Sequence, residues 1–167
     1  LIADLVGEAT AVAFGNKNFR RELSLWMRNN FTSKGDGMPL FTNGLPNWLS
    51  LLVPILMLYF NPAVPLSRKA NEAVKSSSGF GILGSAIDDT DTWIKIGQSF
   101  QRLNLFSHQL GVSLAIMGAP TEVGDYASRI REKFKLDFQP ILFFRIGYSQ
   151  QFVRHSPRRS LDEVLIK

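Results

Sequence analysis

Apolar positions recur along this chain at two different spacings, and each spacing predicts a different kind of element. Ile2, Leu5, Val6, Ala9, Val12 and Ala13 fall at helical intervals and Gly15 is a suitable stop, so residues 2–14 are expected to form a helix. Asn18 can cap a second helix, with Phe19, Leu23, Trp26 and Met27 as its apolar stripe and Arg20 and Arg21 on its solvated side. A turn-rich loop, Lys-Gly-Asp-Gly-Met-Pro, follows at residues 34–39. Residues 38–67 then carry no charge at all, and 48–64 are almost continuously apolar. A bilayer span needs about 20 apolar residues. This run is shorter, holds Pro54 inside it and ends on Pro62 and Pro65, so it reads as a buried or partner-covered segment.

Residues 69–78 form a polar linker or short helix. Residues 80–87 read as a buried strand, followed by a helix over residues 92–110 of roughly 28 Å. Trp93, Ile96, Phe100, Leu103 and Leu110 share one face of that helix, and Gly111 ends it. Residues 112–116 are expected to be extended. Thr121 is placed to cap a helix running to Phe134. Pro140 opens a strand over 141–148, apolar enough to be buried on both faces.

Composition narrows the chemistry. A chain of 167 residues, 45% hydrophobic and 20% charged, has the makeup of one globular domain with one core. The absence of cysteine excludes disulfides, thiolate metal sites and a cysteine nucleophile. The net charge of +5 favours anionic ligands. No nucleic-acid recognition module accompanies it, so nucleic acid is not expected as a partner. The chain opens Leu-Ile-Ala, without methionine or a leader pattern, and residues upstream are expected to be missing.

Several motifs invite a chemical reading and lose it on inspection. Gly79, Gly81 and Gly84 fit G-x-G-x-x-G, but a dinucleotide fingerprint follows a strand and opens a helix, whereas these glycines lie within the strand. Close packing is the better account. Asp88, Asp89 and Asp91 lack the spacing of a calcium loop and suit a helix start, where carboxylates accept orphan amide hydrogens. Asn30-Phe31-Thr32 is a glycosylation sequon without other signs of secretion. His108 and His155 have no spaced partners for a metal site or a triad. Arg154, His155, Arg158 and Arg159 make a basic tail. Spacing alone favours a solvated tail, although paired guanidinium forks also suit a phosphate.

Two stretches carry a family resemblance. Residues 88–105, Asp-Asp-Thr-Asp-Thr-Trp-Ile-Lys-Ile-Gly-Gln-Ser-Phe-Gln-Arg-Leu-Asn-Leu, and residues 156–165, Ser-Pro-Arg-Arg-Ser-Leu-Asp-Glu-Val-Leu, resemble the C-terminal portion of the FMN-dependent nitroreductase family. The likeness covers residues 79–167 well and the first 40 loosely. Residues 21–28, followed by Asp36-Gly37-Met38-Pro39, resemble a divergent, longer branch in which nitroreductase-like halves are fused.

The resemblance implies an α+β fold: a mostly antiparallel sheet flanked by helices, with the long helix central and at a dimer interface. It implies a single nitroreductase-like domain over residues 1–167, without its N-terminal segment, and a cytoplasmic homodimer that binds FMN. The implied activity is oxidoreduction, with NAD(P)H as hydride donor and a nitro-aromatic or quinone as acceptor. Members of the family close with a basic pair that helps bind the FMN phosphate, and Arg158 and Arg159 match it. After the long helix, the family runs through leucine-glycine into a loop whose backbone lies near the flavin N5. Met117, Gly118 and Ala119 occupy that place here, and no catalytic side chain is implied. The family's N-terminal Arg-x-Ser-x-Arg phosphate motif is absent from the chain; lying upstream of Leu1 it would make the flavin site whole, and without it the site is half built. Two other readings stand beside this one. One is a flavin-binding protein with little turnover; the other is a non-flavin, membrane-associated domain using the apolar segment and basic tail. A membrane partner is not expected under the flavin reading.

Overall fold

The computed structural model describes residues 2–149 and 155–165. In chain order the helices and strands are α1 (Ile2–Gly15), α2 (Lys17–Trp26), β1 (Met27–Arg28), β2 (Met38–Pro39), α3 (Asn47–Ser50), α4 (Val53–Tyr59), α5 (Ala63–Lys75) and β3 (Gly79–Ser85). They continue as α6 (Thr90–Gln109), β4 (Ser113–Ile116), α7 (Ala119–Glu122), α8 (Tyr126–Phe134), β5 (Gln139–Gly147) and α9 (Leu161–Val164), with a single 3₁₀ turn at Leu40–Asn43. The chain is therefore mixed helix and sheet. It divides into two compact units, one within Leu1–Ala13 and Ala63–Gln150, the other within Phe14–Pro62 and Gln151–Lys167.

The first unit is built on a three-stranded antiparallel sheet in the order β3-β5-β4. Its two outer strands run parallel to each other, linked by α6 and separated by β5. Alternation along the central strand supplies two faces. Phe143 is fully buried on one, in a cluster with Ala3 and Val6 of α1 and Val74 of α5. Leu5 and Ala9 carry the same face of α1 onto Tyr126 and Ile130 of α8. Phe144 points to the other side and meets Phe100 of α6. Helices thus cover both sheet faces, which is why β5 reads as a continuous apolar run.

Gly81 and Gly84 show why the strand tolerates so many glycines. A Cβ at position 81 would enter the Phe144 ring, and one at 84 would collide with the Gln139 carbonyl beside a register shift in the β3–β5 ladder. Close packing accounts for Gly81 and Gly84 of the motif, whereas a Cβ at Gly79 would meet nothing within 4 Å.

Helix α6 starts and stops where its sequence indicates. The Asp89 carboxylate accepts the Thr92 amide at 2.8 Å, and Gly111, with φ +71°, closes the end. The helix is not central, however. Only Phe100 and Ser107 are buried along its length, while Trp93, Ile94, Leu105 and Phe106 are exposed. Its apolar residues point in more directions than one sheet face can cover.

The helix expected from Thr121 to Phe134 is two helices, α7 and α8, broken at Gly124 with φ +52°. Thr121 lies inside α7 and donates its hydroxyl to the Gly118 carbonyl rather than capping. Residues 69–78 belong mostly to α5, which begins earlier, at Ala63.

The second unit has little regular core. Short strands β1 and β2 pair in parallel, Met27 with Met38. Asn16, not Asn18, caps α2: its side chain accepts from the Asn18 and Phe19 amides. The faces of α2 agree with expectation only in part: Met27 is buried, Leu23 half-buried and Arg21 exposed, but Arg20 and Ser24 are buried and Phe19 and Trp26 exposed. Arg20 donates to the carbonyls of Phe14 (2.8 Å) and Gly15 (2.9 Å) at the end of α1, and to Met57 of α4 (3.2 Å). Helix α1 has no basic residue in its last turn, and Arg20 satisfies those orphan carbonyls instead.

The uncharged run folds as α3, a turn and α4. No helix among the described residues is long and apolar enough to cross a membrane. Most of the apolar run is not buried: Ser50 and Ala63 are, but no residue of α4 is, and Trp48, Leu51, Ile55, Tyr59 and Phe60 are exposed.

Candidate functional site

The loop matched to the flavin ring is set by the helix and strand that precede it. After Gly111, the Val112 amide donates to the Ser107 carbonyl at 2.9 Å, and this closure feeds the chain directly into β4. One residue beyond β4, the Met117 amide donates to the Phe143 carbonyl at 2.9 Å, extending the ladder onto the central strand. The Met117 side chain packs on the cluster around Phe143. Gly118 then turns the chain into α7. Its carbonyl accepts the amides of Thr121 (2.9 Å) and Glu122 (3.0 Å).

Met117, Gly118 and Ala119 are each half-buried, and Pro120 behind them is fully buried. The Met117 amide is spent on the sheet. The amides that remain for a ligand are those of Gly118 and Ala119, in the first turn of α7, where a helix has no acceptor of its own to offer. A Cβ at Gly118 would lie 2.7 Å from the Glu122 carboxylate, the flexible end of a side chain that can swing aside.

Arg158 and Arg159 are exposed and precede α9. The Arg158 guanidinium donates to the Ser156 hydroxyl at 2.8 Å. The backbone of the pair lies close over Gly35, where a Cβ would come within 2.8 Å of the Arg159 amide nitrogen. Gly35 is therefore part of what positions the pair, and the turn-rich loop gave no sign of it beyond its glycines. Arg154 lies outside the described residues. The loop at 117–119 belongs to the first unit and the arginine pair to the second.

The remaining candidates resolve into structural roles. Asp88 accepts the Trp93 indole N–H at 2.7 Å, and Asp91 pairs with Lys95 at 2.5 Å. The backbone amide of Thr92 holds the Asp89 carboxyl below the usual carboxylate range. Among the described residues, no group of three or more histidines or carboxylates is arranged to hold a metal. His108 is exposed in the last turn of α6.

Asn30 of the sequon is buried. Its side-chain amide donates to the Leu45 carbonyl (2.8 Å) and to the Asn47 side chain (3.0 Å), while its backbone amide donates to the Ser50 hydroxyl (3.0 Å). It is a structural asparagine, not an accessible acceptor. A surface depression of about 370 Å³ on the first unit is lined by Leu5, Arg129, Glu132 and Lys133.

Comparison with protein-family models, curated proteins and solved structures finds no match to this chain.

Proposed function

We propose that this chain binds FMN and works as an NAD(P)H-dependent oxidoreductase on nitro-aromatic or quinone acceptors, as a homodimer of nitroreductase-like fold. The observation that carries the reading is the loop at 117–119. It follows a long helix and an outer strand, stays half-exposed, and keeps two backbone amides in an α-helical first turn. A glycine at its centre keeps the backbone approachable by a flat ring. This is the kind of contact the resemblance calls for, made without any catalytic side chain.

FMN, when bound, supplies reversible two-electron chemistry. The protein's part is to hold and shield it. The Gly118 and Ala119 amides would be the donors toward the ring, and the resemblance assigns the phosphate to Arg158 and Arg159, whose guanidinium groups are exposed. The exposed apolar side chains of α6, Ile94, Leu105 and Phe106, are the surface on which two copies would pair.

The test is an absorption spectrum of the purified protein before and after adding FMN and removing the excess, with released cofactor identified by chromatography. Flavin bands at one FMN per chain support the reading, and NAD(P)H oxidation with a quinone then separates turnover from storage. A folded, colourless protein that takes up no FMN overturns it.

A further inference from the structure

The chain's charge is not spread evenly. By sequence, the segments that make the first unit carry ten basic and ten acidic residues. The segments of the second unit carry nine basic and four acidic, so the entire net charge of +5 belongs there. The same unit holds the exposed apolar run. Two of its helices bring these properties side by side. Helix α2, with exposed Lys17 and Arg21, packs against α4, which is apolar on every side and buries none of its residues. The buried Arg20 fixes the pairing through its bond to the Met57 carbonyl.

We propose that the α2–α4 face docks on an anionic lipid surface. An apolar patch of this extent on a folded unit marks a contact surface, and the charge beside it selects the occupant. A second copy would bring +5 against +5, which disfavours self-pairing through this unit. An anionic bilayer satisfies both demands, taking apolar side chains below the headgroups and lysine and arginine among them. The aromatic residues agree. Trp48 and Tyr59, 68% and 78% exposed, stand toward the two ends of the run with leucine and isoleucine between them. Rings with one polar edge favour that position at a membrane–water boundary. Surface docking needs no spanning helix, so the shortness of the run, which argues against a span, does not bear on it. Nor does the inference rest on the flavin reading, since it uses neither the loop at 117–119 nor the arginine pair.

The experiment is co-sedimentation of the full chain with vesicles of equimolar phosphatidylcholine and phosphatidylserine, and with phosphatidylcholine alone. Circular dichroism checks the fold of each variant. The wild type is expected to pellet with the anionic vesicles, weakly with the neutral ones, and less as salt rises. Lys17→Gln with Arg21→Gln should weaken anionic binding by about thirtyfold. Ile55→Ser with Tyr59→Ser should weaken it by at least about tenfold. A folded wild type that stays in the supernatant with anionic vesicles overturns the proposal, as does unchanged binding by either folded variant. Association between copies that Ile55→Ser with Tyr59→Ser abolishes would also overturn it, assigning the face to a second chain. FMN uptake, read in the same samples, moves independently of all these outcomes.

Discussion

Phe144 stands tilted against Phe100, with ring centroids 5.2 Å apart, and the same ring fills the space above Gly81 on the neighbouring strand. One side chain thus joins α6 to the sheet and leaves position 81 no room for a side chain of its own. Gly81→Ala should destabilise the protein by about 1–3 kcal/mol, because the ring must leave its place against Phe100. Urea unfolding measures this, and Phe144→Leu in the same chain should recover part of the loss. An unchanged midpoint in Gly81→Ala would refute the steric account.

Arg20 carries a cost of a different kind. Arg20→Met keeps the aliphatic stem but leaves the carbonyls of Phe14, Gly15 and Met57 without their donor. A loss of at least about 2 kcal/mol is expected. Hydrogen exchange should rise first in α2 and α4, which the guanidinium ties together. Protection equal to the wild type in both helices would show that the bonds contribute nothing.

Asp89 gives a pH dependence with a definite sign. Its folded carboxyl is held below the ordinary range by the hydrogen bond from the Thr92 amide, so its contribution is present above the unfolded value of about 3.9. It fades as pH falls through the lower folded value. Asn still caps a helix but does not titrate. Asp89→Asn should therefore melt below the wild type at neutral pH, and the gap should close in acid. A gap that stays constant with pH would mean the charge has no part in the cap.

Under the flavin reading, Arg158→Ala with Arg159→Ala should lower FMN affinity by one to several powers of ten, from about 1.5–3 kcal/mol for each charge-assisted bond. The pair is exposed, so the fold should survive. Equal FMN titration curves for the folded double variant and the wild type would withdraw the phosphate role.

What was legible in the sequence follows from where the information sits. Helix α1, strands β3 and β5, and α6 with its Asp and Gly ends were readable because apolar spacing and caps are local. Gly81 and Gly84 of β3 were readable as packing because they lay inside an apolar run. Arg20 was not. On a helical wheel it stands beside Arg21 and looks solvated, and the carbonyls left over at the end of α1, with that of Met57, call it inward. A helix with no basic residue in its last turn and an arginine a few residues on is the signal to look for. The break at Gly124 needed a single left-handed glycine to be weighed against a run of helix formers. As for the candidate site, the sequence named the loop and the arginines. It could not indicate that the Met117 amide is consumed by the sheet, nor that Gly35 makes room for the tail.

The strand order has a consequence for how the molecule comes into being. Neither β3 nor β4 touches the other, and each finds its partner only in β5, the last strand of the sheet to be synthesised. Until residues 139–147 have left the ribosome, both earlier strands carry open edges, and α1 has no Phe143 to close over. Assembly of the first unit is therefore a long-range event, slow by the standards of helical proteins, with apolar surfaces left open until the central strand is made.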